Sequence, residues 1–303
     1  MRTNTKKISE LLIIIRPYHW IKNTFVFAPL VFSGRFTQID MCLKATLAFI
    51  SFCFVSSAVY VINDVCDRAE DRQHPIKKFR PVASGAISAG SAITISAVLF
   101  VTSLILAGFL NWSVMLIVLI YFFINIAYSL YIKHIAILDV LTISAGFVLR
   151  IIGGGMSIAV VPSYWLILCT VMISIFLGFT KRRVELLAVD IDKNNSRPVL
   201  KDYSITFLDQ VIPMVTGATI LAYALYTVDE HTLMVLGTRA MLLTLPFVIY
   251  GLLRYIYIIY HLKQCADPTE NLIRDIPTII NLMLWVVVSL LVVKYGGKLN
   301  FFH

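Results

Sequence analysis

Apolar runs long enough to cross a bilayer, each closed by a short polar cluster, set the pattern of this chain. A crossing helix needs about 20 predominantly apolar residues at about 1.5 Å each. Such windows fall near 20–34, 43–63, 90–110, 113–131, 136–156, 162–180, 207–227, 239–260 and 276–295. The first is short and contains Pro29, so it predicts a tilted element or one that joins the stretch from Ser9. The fold class expected is all-α: a polytopic bundle of about nine transmembrane helices. Residues 1–303 read as a single transmembrane domain, with polar loops near 64–89 and 181–206 carrying the chemistry.

The connections between windows are asymmetric in charge. One alternate set holds Arg2, Lys6, Lys7, Arg16 and Lys22, then 68–80, Lys133, 181–201, and Lys263 with Arg274. The other holds Arg35, Lys44, a tight turn at Asn111, a Gly-rich turn at 153–155, Asp229, Glu230 and a tail with Lys294 and Lys298. Basic loops stay in the cytoplasm, so the N-terminus and the active-site loops are expected inside, at the inner (plasma) membrane, and the C-terminus outside. Met1–Ile15 has basic residues and a short apolar stretch, but Arg16–Asn23 interrupts it without a small-residue cleavage site, so it reads as mature protein.

Composition agrees with a membrane chain. Of 303 residues, 59% are hydrophobic and 14% charged, and the mean hydropathy is +0.84, whereas soluble domains carry about 25% charged residues. A net charge of +9 without a long basic run or interleaved aromatics points away from nucleic acid and towards anionic membrane lipids and phosphorylated substrates. Cys42, Cys53, Cys66, Cys169 and Cys265 have no metal-ligand spacing and read as packing residues.

The second window runs out into 60–72, which contains Asn63, Asp64, Asp67 and Asp71. On a helix, the three aspartates fall within about 60° of one another over roughly 10 Å. Like charges so stacked repel unless water or a cation compensates, and hard oxygen ligands suit Mg²⁺, which keeps waters and bridges to phosphates. A solvated helix end is the plainer account. Against it, Lys77, Lys78 and Arg80 follow directly and would cradle phosphate oxygens. After the sixth window come Lys181, Arg182 and Glu185, then Asp190, Asp192, Arg197, Lys201, Asp202 and Tyr203. Glu185 forms either a local ion pair with Lys181 or Arg182, at about 0.3–0.5 kcal/mol, or a second metal ligand beside two phosphate clamps. Arg150 lies at membrane depth, roughly 16 Å along the helix from Asp139, and either snorkels to the outer boundary or faces an internal phosphate. Arg16, Lys22 and Asn23 enter the first window and, with Trp20, would also suit interfacial anchoring.

Asn63-Asp-x-x-Asp-x-x-x-Asp71 followed by Arg80-Pro-x-Ala-Ser-Gly85 resembles the UbiA superfamily of intramembrane prenyltransferases over nearly the whole chain. The resemblance implies a nine-helix, UbiA-like bundle whose two cytoplasmic motifs hold a diphosphate through Mg²⁺. Three further stretches resemble the polyprenyl-phosphate phosphoribosyltransferase branch: Arg16-Pro-x-x-Trp-Ile-Lys-Asn-x-Phe-Val-Phe-Ala-Pro29, Leu138-Asp-Val with Gly146-Phe-Val-Leu-Arg150, and Lys181-Arg-Arg-x-Glu-Leu186. The aromatic prenyltransferases usually have Asp-x-x-x-Asp where this chain has Lys-Arg-Arg-x-Glu, and a more basic motif suits a donor with an extra phosphate.

The resemblance thus implies transfer of 5-phosphoribosyl from phosphoribosyl diphosphate to a polyprenyl phosphate, with release of diphosphate, for a cell-envelope glycolipid precursor. Asp64, Asp67, Asp71 and Lys181 are the expected catalytic residues, and Asn63, Asp64, Asp67, Asp71 and Glu185 the expected Mg²⁺ ligands. Substrate binding falls to Lys22, Asn23, Arg72, Lys77, Arg80, Lys133, Asp139, Arg150, Arg182, Glu185 and Tyr203, with Lys22 or neighbouring bases placing the acceptor phosphate. The alternatives are a prenyl-diphosphate transferase acting on an aromatic or glycerol-phosphate acceptor and, from another class, a transporter; assembly into a homo-oligomer stays open.

Overall fold

A computed structural model describes residues 10–189, 198–261 and 275–295. Asp190, Asp192, Arg197, Lys263, Cys265 and Arg274 lie outside the described residues. The long helices are α1 (Ile39–Cys66), α2 (Ala89–Leu110), α3 (Trp112–Leu130), α4 (Leu138–Ser157), α5 (Tyr164–Val189), α6 (Ile205–Val228), α7 (Leu245–His261) and α8 (Ile276–Tyr295). Among the described residues these 8, α7 taken with the 3₁₀ turn Ala240–Thr244 before it, are long and apolar enough to cross a membrane. Several starts are set by side-chain caps: Ser88 accepts from the Ser91 amide, Asn111 from Val114 and Ser204 from Phe207.

The expected crossing at 20–34 takes another form. A 3₁₀ helix runs Pro17–Phe27, a short α-helix follows over Ala28–Phe32, and the chain turns at Gly34, φ 71°. A 3₁₀ helix rises about 2.0 Å per residue, so the segment covers more length than an α-helix of the same residue count. Runs this long are uncommon, and α1 holds this one from the side. Trp20 Nε1 donates to Ser57 Oγ at 3.0 Å, and Asn23 Nδ2 donates to Ser56 Oγ at 3.2 Å.

Two compact units are present, and their boundary passes through α4. The first comprises 1–30, 36–133 and 149–161. Lipid is as apolar as a leucine side chain, so helices in a membrane associate through close backbone approach at small residues and polar groups between helices. On α1 and α2, Ser51 and Ser103 donate to each other's carbonyl at 2.9 and 2.8 Å, and Ser96 donates to the Ala58 carbonyl at 2.9 Å. Around them Phe52, Val55, Val118, Tyr121 and Leu149 form the core, while Ile93, Val101, Ile105 and Phe109 of α2 face outward, as a lipid-contacting side would. The run 153–155, expected as a turn, lies inside α4 instead. A Cβ on Gly154 would sit 2.0 Å from the Val26 carbonyl oxygen, and one on Gly153 2.7 Å from the Phe52 ring. Glycine is there so that the 3₁₀ backbone can press against α4.

The second unit comprises 31–35, 134–148 and 162–303. Val140, Phe176, Phe179, Leu208, Ile212 and Tyr255 form its main core, and Gly178 on α5 leaves room for Val140, 2.5 Å from where a Cβ would be. Ser174 donates to Ser144 at 2.9 Å between α5 and α4. Arg183 donates to Asp209 at 2.7 Å and stacks 3.7 Å from the Tyr260 ring centre, while the Tyr260 hydroxyl donates to the same carboxylate oxygen. One ion pair thereby joins α5, α6 and α7.

Gly154→Ala should destabilise the protein by about 1–3 kcal/mol, the usual cost of overpacking, whereas Gly217→Ala on α6, with nothing within 4 Å of its added carbon, should be neutral or slightly stabilising. Thermal unfolding of the two variants in detergent, followed by size-exclusion fluorescence, checks this; equal midpoints would remove the close approach at Val26.

Candidate active site

The acidic stretch is built by a helix that breaks without losing its register. α1 ends at Cys66, Asp67 takes φ −85° and ψ 4°, and a short helix runs Arg68–Gln73. Across the break Asp67 N donates to the Asn63 carbonyl and Asp71 N to the Asp67 carbonyl, both at 2.8 Å. The i→i−4 pattern therefore persists, and Asp64, Asp67 and Asp71 keep helical spacing. His74 Nδ1 then accepts from the amides of Ile76 and Lys77, and the chain turns through the 3₁₀ helix Lys77–Phe79 into the helix Pro81–Ser84, ended by Gly85 at φ 84°. Arg72 Nε fastens the return by donating to the Ala83 carbonyl at 3.0 Å. Val82 anchors it in an apolar cluster with Ile14 and Val61.

That return brings base to acid. Arg80 donates to Asp71 at 2.7 Å and lies 3.3 Å from Asp64. Arg16 reaches the same Asp64 oxygen at 2.5 Å from before the 3₁₀ helix, and Lys133 reaches Asp67 at 2.6 Å from the turn after α3. Asp64 and Asp71 are only 2% and 3% exposed. An unpaired buried ion costs several kcal/mol, so carboxylates this deep need the cations that two separate segments deliver, while Lys133 serves the more exposed Asp67. Arg16 meets this need in a strained backbone, φ 55° and ψ 59°, ahead of Pro17. A left-handed conformation costs a non-glycine residue on the order of 1–3 kcal/mol, and strain of this kind gathers at functional sites.

The donor chemistry of this cluster, three carboxylates and the half-buried Asn63, is the hard-oxygen set that Mg²⁺ takes. Among the described residues no three acid, His or Cys side chains stand as a ready metal cage; in this conformation Arg16, Arg80 and Lys133 supply the countercharge. A divalent ion held by these oxygens would leave the three bases to the anionic groups of a ligand.

Deeper in the first unit, Arg150 is 5% exposed. Its Nε donates to Asn23 Oδ1 at 2.7 Å, one terminal nitrogen donates to the Tyr121 hydroxyl at 2.8 Å, and its carbon lies 4.8 Å from that ring's centre. It therefore points into the unit, and Asn23, wholly buried, spends its amide on Arg150, Ser56 and Cys53. Lys22 is half-buried within the 3₁₀ helix.

The second unit carries its own cluster. Arg182, 1% exposed, donates to Asp139 Oδ2 at 2.6 Å and pairs with Glu185 one turn on. The Tyr203 hydroxyl donates to the other Asp139 oxygen at 2.8 Å and accepts from the Ile137 amide at 2.7 Å. Burial, aided by the adjacent Asp139 carboxylate, raises the Tyr203 pKa, so the phenol stays a donor. Ile137 has φ 71°, a strained value for a β-branched residue, which the Tyr203 contact helps hold. Lys181 precedes this network and is half-buried.

The expected acids and Arg80 thus come together with Lys133, and Asp139, Arg182, Glu185 and Tyr203 come together separately. Asp139 and Arg150, although on one helix, have different partners. The sequence flags Arg16 only at the entry to the first window, with no role opposite Asp64, and does not flag Tyr121. The signal for Arg16 was a charge before a proline inside an apolar segment, whereas nothing separates Tyr121 from other aromatics in its window.

The UbiA prenyltransferase family matches residues 24–275. The chain is 31% identical over 286 residues to decaprenyl-phosphate phosphoribosyltransferase of Mycobacterium tuberculosis, covering 93% of each. It is 33% identical over 223 residues to the enzyme of that name from Mycolicibacterium smegmatis, 72% of this chain and 70% of the relative. In fold it resembles a UbiA homolog from Archaeoglobus fulgidus bound to DMAPP and Mg²⁺, with a TM-score of 0.70 at 18% identity, over 93% of this chain and 98% of that one.

Arg182→Met should strand the buried Asp139 carboxylate and cost about 3–5 kcal/mol, while a joint change of Asp139 and Arg182 to leucine should recover most of it. Unfolding midpoints in detergent decide this; a single variant as stable as the parent would show that the pair is not the lock described.

Proposed function

Because the chain belongs to the UbiA prenyltransferase family, we propose that it transfers 5-phosphoribosyl from phosphoribosyl diphosphate to a polyprenyl phosphate, releasing diphosphate. The observation that carries this is the cluster of Asp64, Asp67 and Asp71 countered by Arg16, Arg80 and Lys133. Acids and bases held in balance at the end of a crossing helix suit a ligand that brings both a cation and an anion. The choice of ribosyl over prenyl rests on the basic Lys181-Arg-Arg-x-Glu185 motif and on the similarity to relatives named for that activity.

Asn63, Asp64, Asp67 and Asp71 would hold Mg²⁺, which would supply charge neutralisation to the diphosphate. Lys77 and Arg80 donate to diphosphate oxygens. Negative charge grows there as the ribose C1–oxygen bond breaks, so these charge-assisted bonds strengthen towards the transition state. The acceptor phosphate, already anionic, needs no strong base; placed by Lys22 and its neighbours, its oxygen bonds to C1 from the face opposite the departing diphosphate and inverts that centre. Lys133 keeps Asp67 in place before the donor arrives. In the second unit Lys181 and Glu185 offer groups for phosphate and metal chemistry, and Arg182, fixed by Asp139, orients Glu185. The loop asymmetry supports placing the N-terminus and the acidic cluster on the cytoplasmic side of the plasma membrane.

Purified protein given labelled phosphoribosyl diphosphate, Mg²⁺ and a polyprenyl phosphate should yield labelled lipid. Chelation should stop the reaction and added Mg²⁺ restore it, and Asp67→Ala should lower turnover by about 10²–10³-fold with its elution profile in detergent unchanged. Near-normal turnover of that variant would remove the metal site, and label transfer from an isoprenyl diphosphate alone would reassign the donor.

A further inference from the structure

Beside Asp64 lies a cavity of ≈ 300 Å³ lined by Leu12, Ile13, Arg16, Tyr18, Asp64, Arg80 and Pro81. Its lining has two characters. At one side two guanidinium groups converge on a single oxygen of Asp64, Arg16 at 2.5 Å and Arg80 at 3.3 Å. Two guanidinium groups therefore share one carboxylate oxygen on this side. Arg80 is further engaged by Asp71 at 2.7 Å, whereas Asp64 is the one ion-pair partner of Arg16 among the described residues. A guanidinium carries five N–H donors in a fork that matches phosphate oxygens.

The other side is apolar. The helical turn 10–15 is docked through Ile14, wholly buried against the cluster that contains Val61 and Val82. Leu12 and Ile13, from the same turn, line the cavity and are each 55% exposed. The apolar wall therefore continues to the outside of the unit. Arg16 joins the two sides, and its left-handed backbone ahead of Pro17 aims the side chain at Asp64 while the preceding turn stays on the wall.

We propose that this cavity receives the head of an isoprenoid monophosphate, with Arg16 as the ligand to its phosphate and Leu12 and Ile13 against its first isoprene units. This rests on the function proposed above and deepens it by naming where the acceptor binds. A free sugar phosphate would leave Leu12 and Ile13 unmatched, and a neutral isoprenoid would leave the convergent arginines unmatched; an amphiphile with an anionic head satisfies both. At ≈ 300 Å³ the cavity is at the small end of ligand pockets, about 300–1,000 Å³, which suits a head group whose chain extends beyond it. With Asp64 engaged as a metal ligand, the Arg16 fork would be left to the acceptor phosphate.

The test is binding of farnesyl phosphate to the purified protein in detergent, without donor or Mg²⁺, by titration calorimetry. Arg16→Gln should weaken it about 10- to 100-fold, the loss of a charged hydrogen-bond partner, and Arg16→Lys should recover part. Leu12→Trp, a change at an exposed position that fills the apolar side, should weaken farnesyl phosphate binding and leave inorganic phosphate binding as it was. Unchanged farnesyl phosphate affinity in Arg16→Gln and in Leu12→Trp would overturn the proposal, as would equal, Arg16-dependent binding of dioleoyl phosphatidate, which would make this a general anionic-lipid site. Arg16-dependent farnesyl phosphate binding in a protein that transfers no label from phosphoribosyl diphosphate would sustain the cavity and reject the donor.

Discussion

Two carboxylates buried where a membrane-crossing helix meets its polar end, Asp64 and Asp71, impose the condition that the first unit is built to meet. Taking such charges from water costs several kcal/mol each, and only closely placed cations offset it. The chain meets this with bases from separate segments. Arg80 comes back on a short return fastened by Arg72 and Val82, and Arg16 comes from before the 3₁₀ helix; Lys133, after α3, does the same for the more exposed Asp67. Each pair ties a different element to the end of α1, so the site's charge balance and the unit's local architecture are one arrangement.

The same constraint shapes two of the buried arginines, Arg182 and Arg150, in different ways. Arg182 has acid partners, and Asp139 in turn fixes Tyr203 and, through its hydroxyl, the strained turn at Ile137. Arg150 donates to the amide oxygen of Asn23 and to the Tyr121 hydroxyl, and lies over the face of that ring.

Backbone approach is the second theme. Where lipid removes the usual hydrophobic drive between helices, glycines and serines let chains come close enough for carbonyls to be reached, as at Gly154 against Val26 and at the reciprocal Ser51–Ser103 bonds. The 3₁₀ segment Pro17–Phe27 depends on this closeness, because side-chain bonds to α1 support a helix type that seldom persists for 11 residues. Arg16 sits at its start, and the strain there is held by packing on both sides.

Hydropathy alone made the all-helical membrane fold legible, because a bilayer admits few other ways to satisfy backbone groups and long apolar windows are unambiguous. The row of aspartates was legible too, since 64, 67 and 71 share a face whenever the local path is helical. The sequence could not say that the window at 20–34 is largely 3₁₀, because that choice depends on bonds to α1, nor that 153–155 is helix rather than turn, because glycine marks both. Partner choice was likewise beyond it: Asp139 and Arg150 share a helix yet pair elsewhere, and Arg16 finds Asp64 across 48 residues of chain. Periodicity determines which face a residue occupies; only folding in three dimensions determines what charge, ring or backbone arrives opposite that face, because such contacts join segments whose separation along the chain carries no pattern.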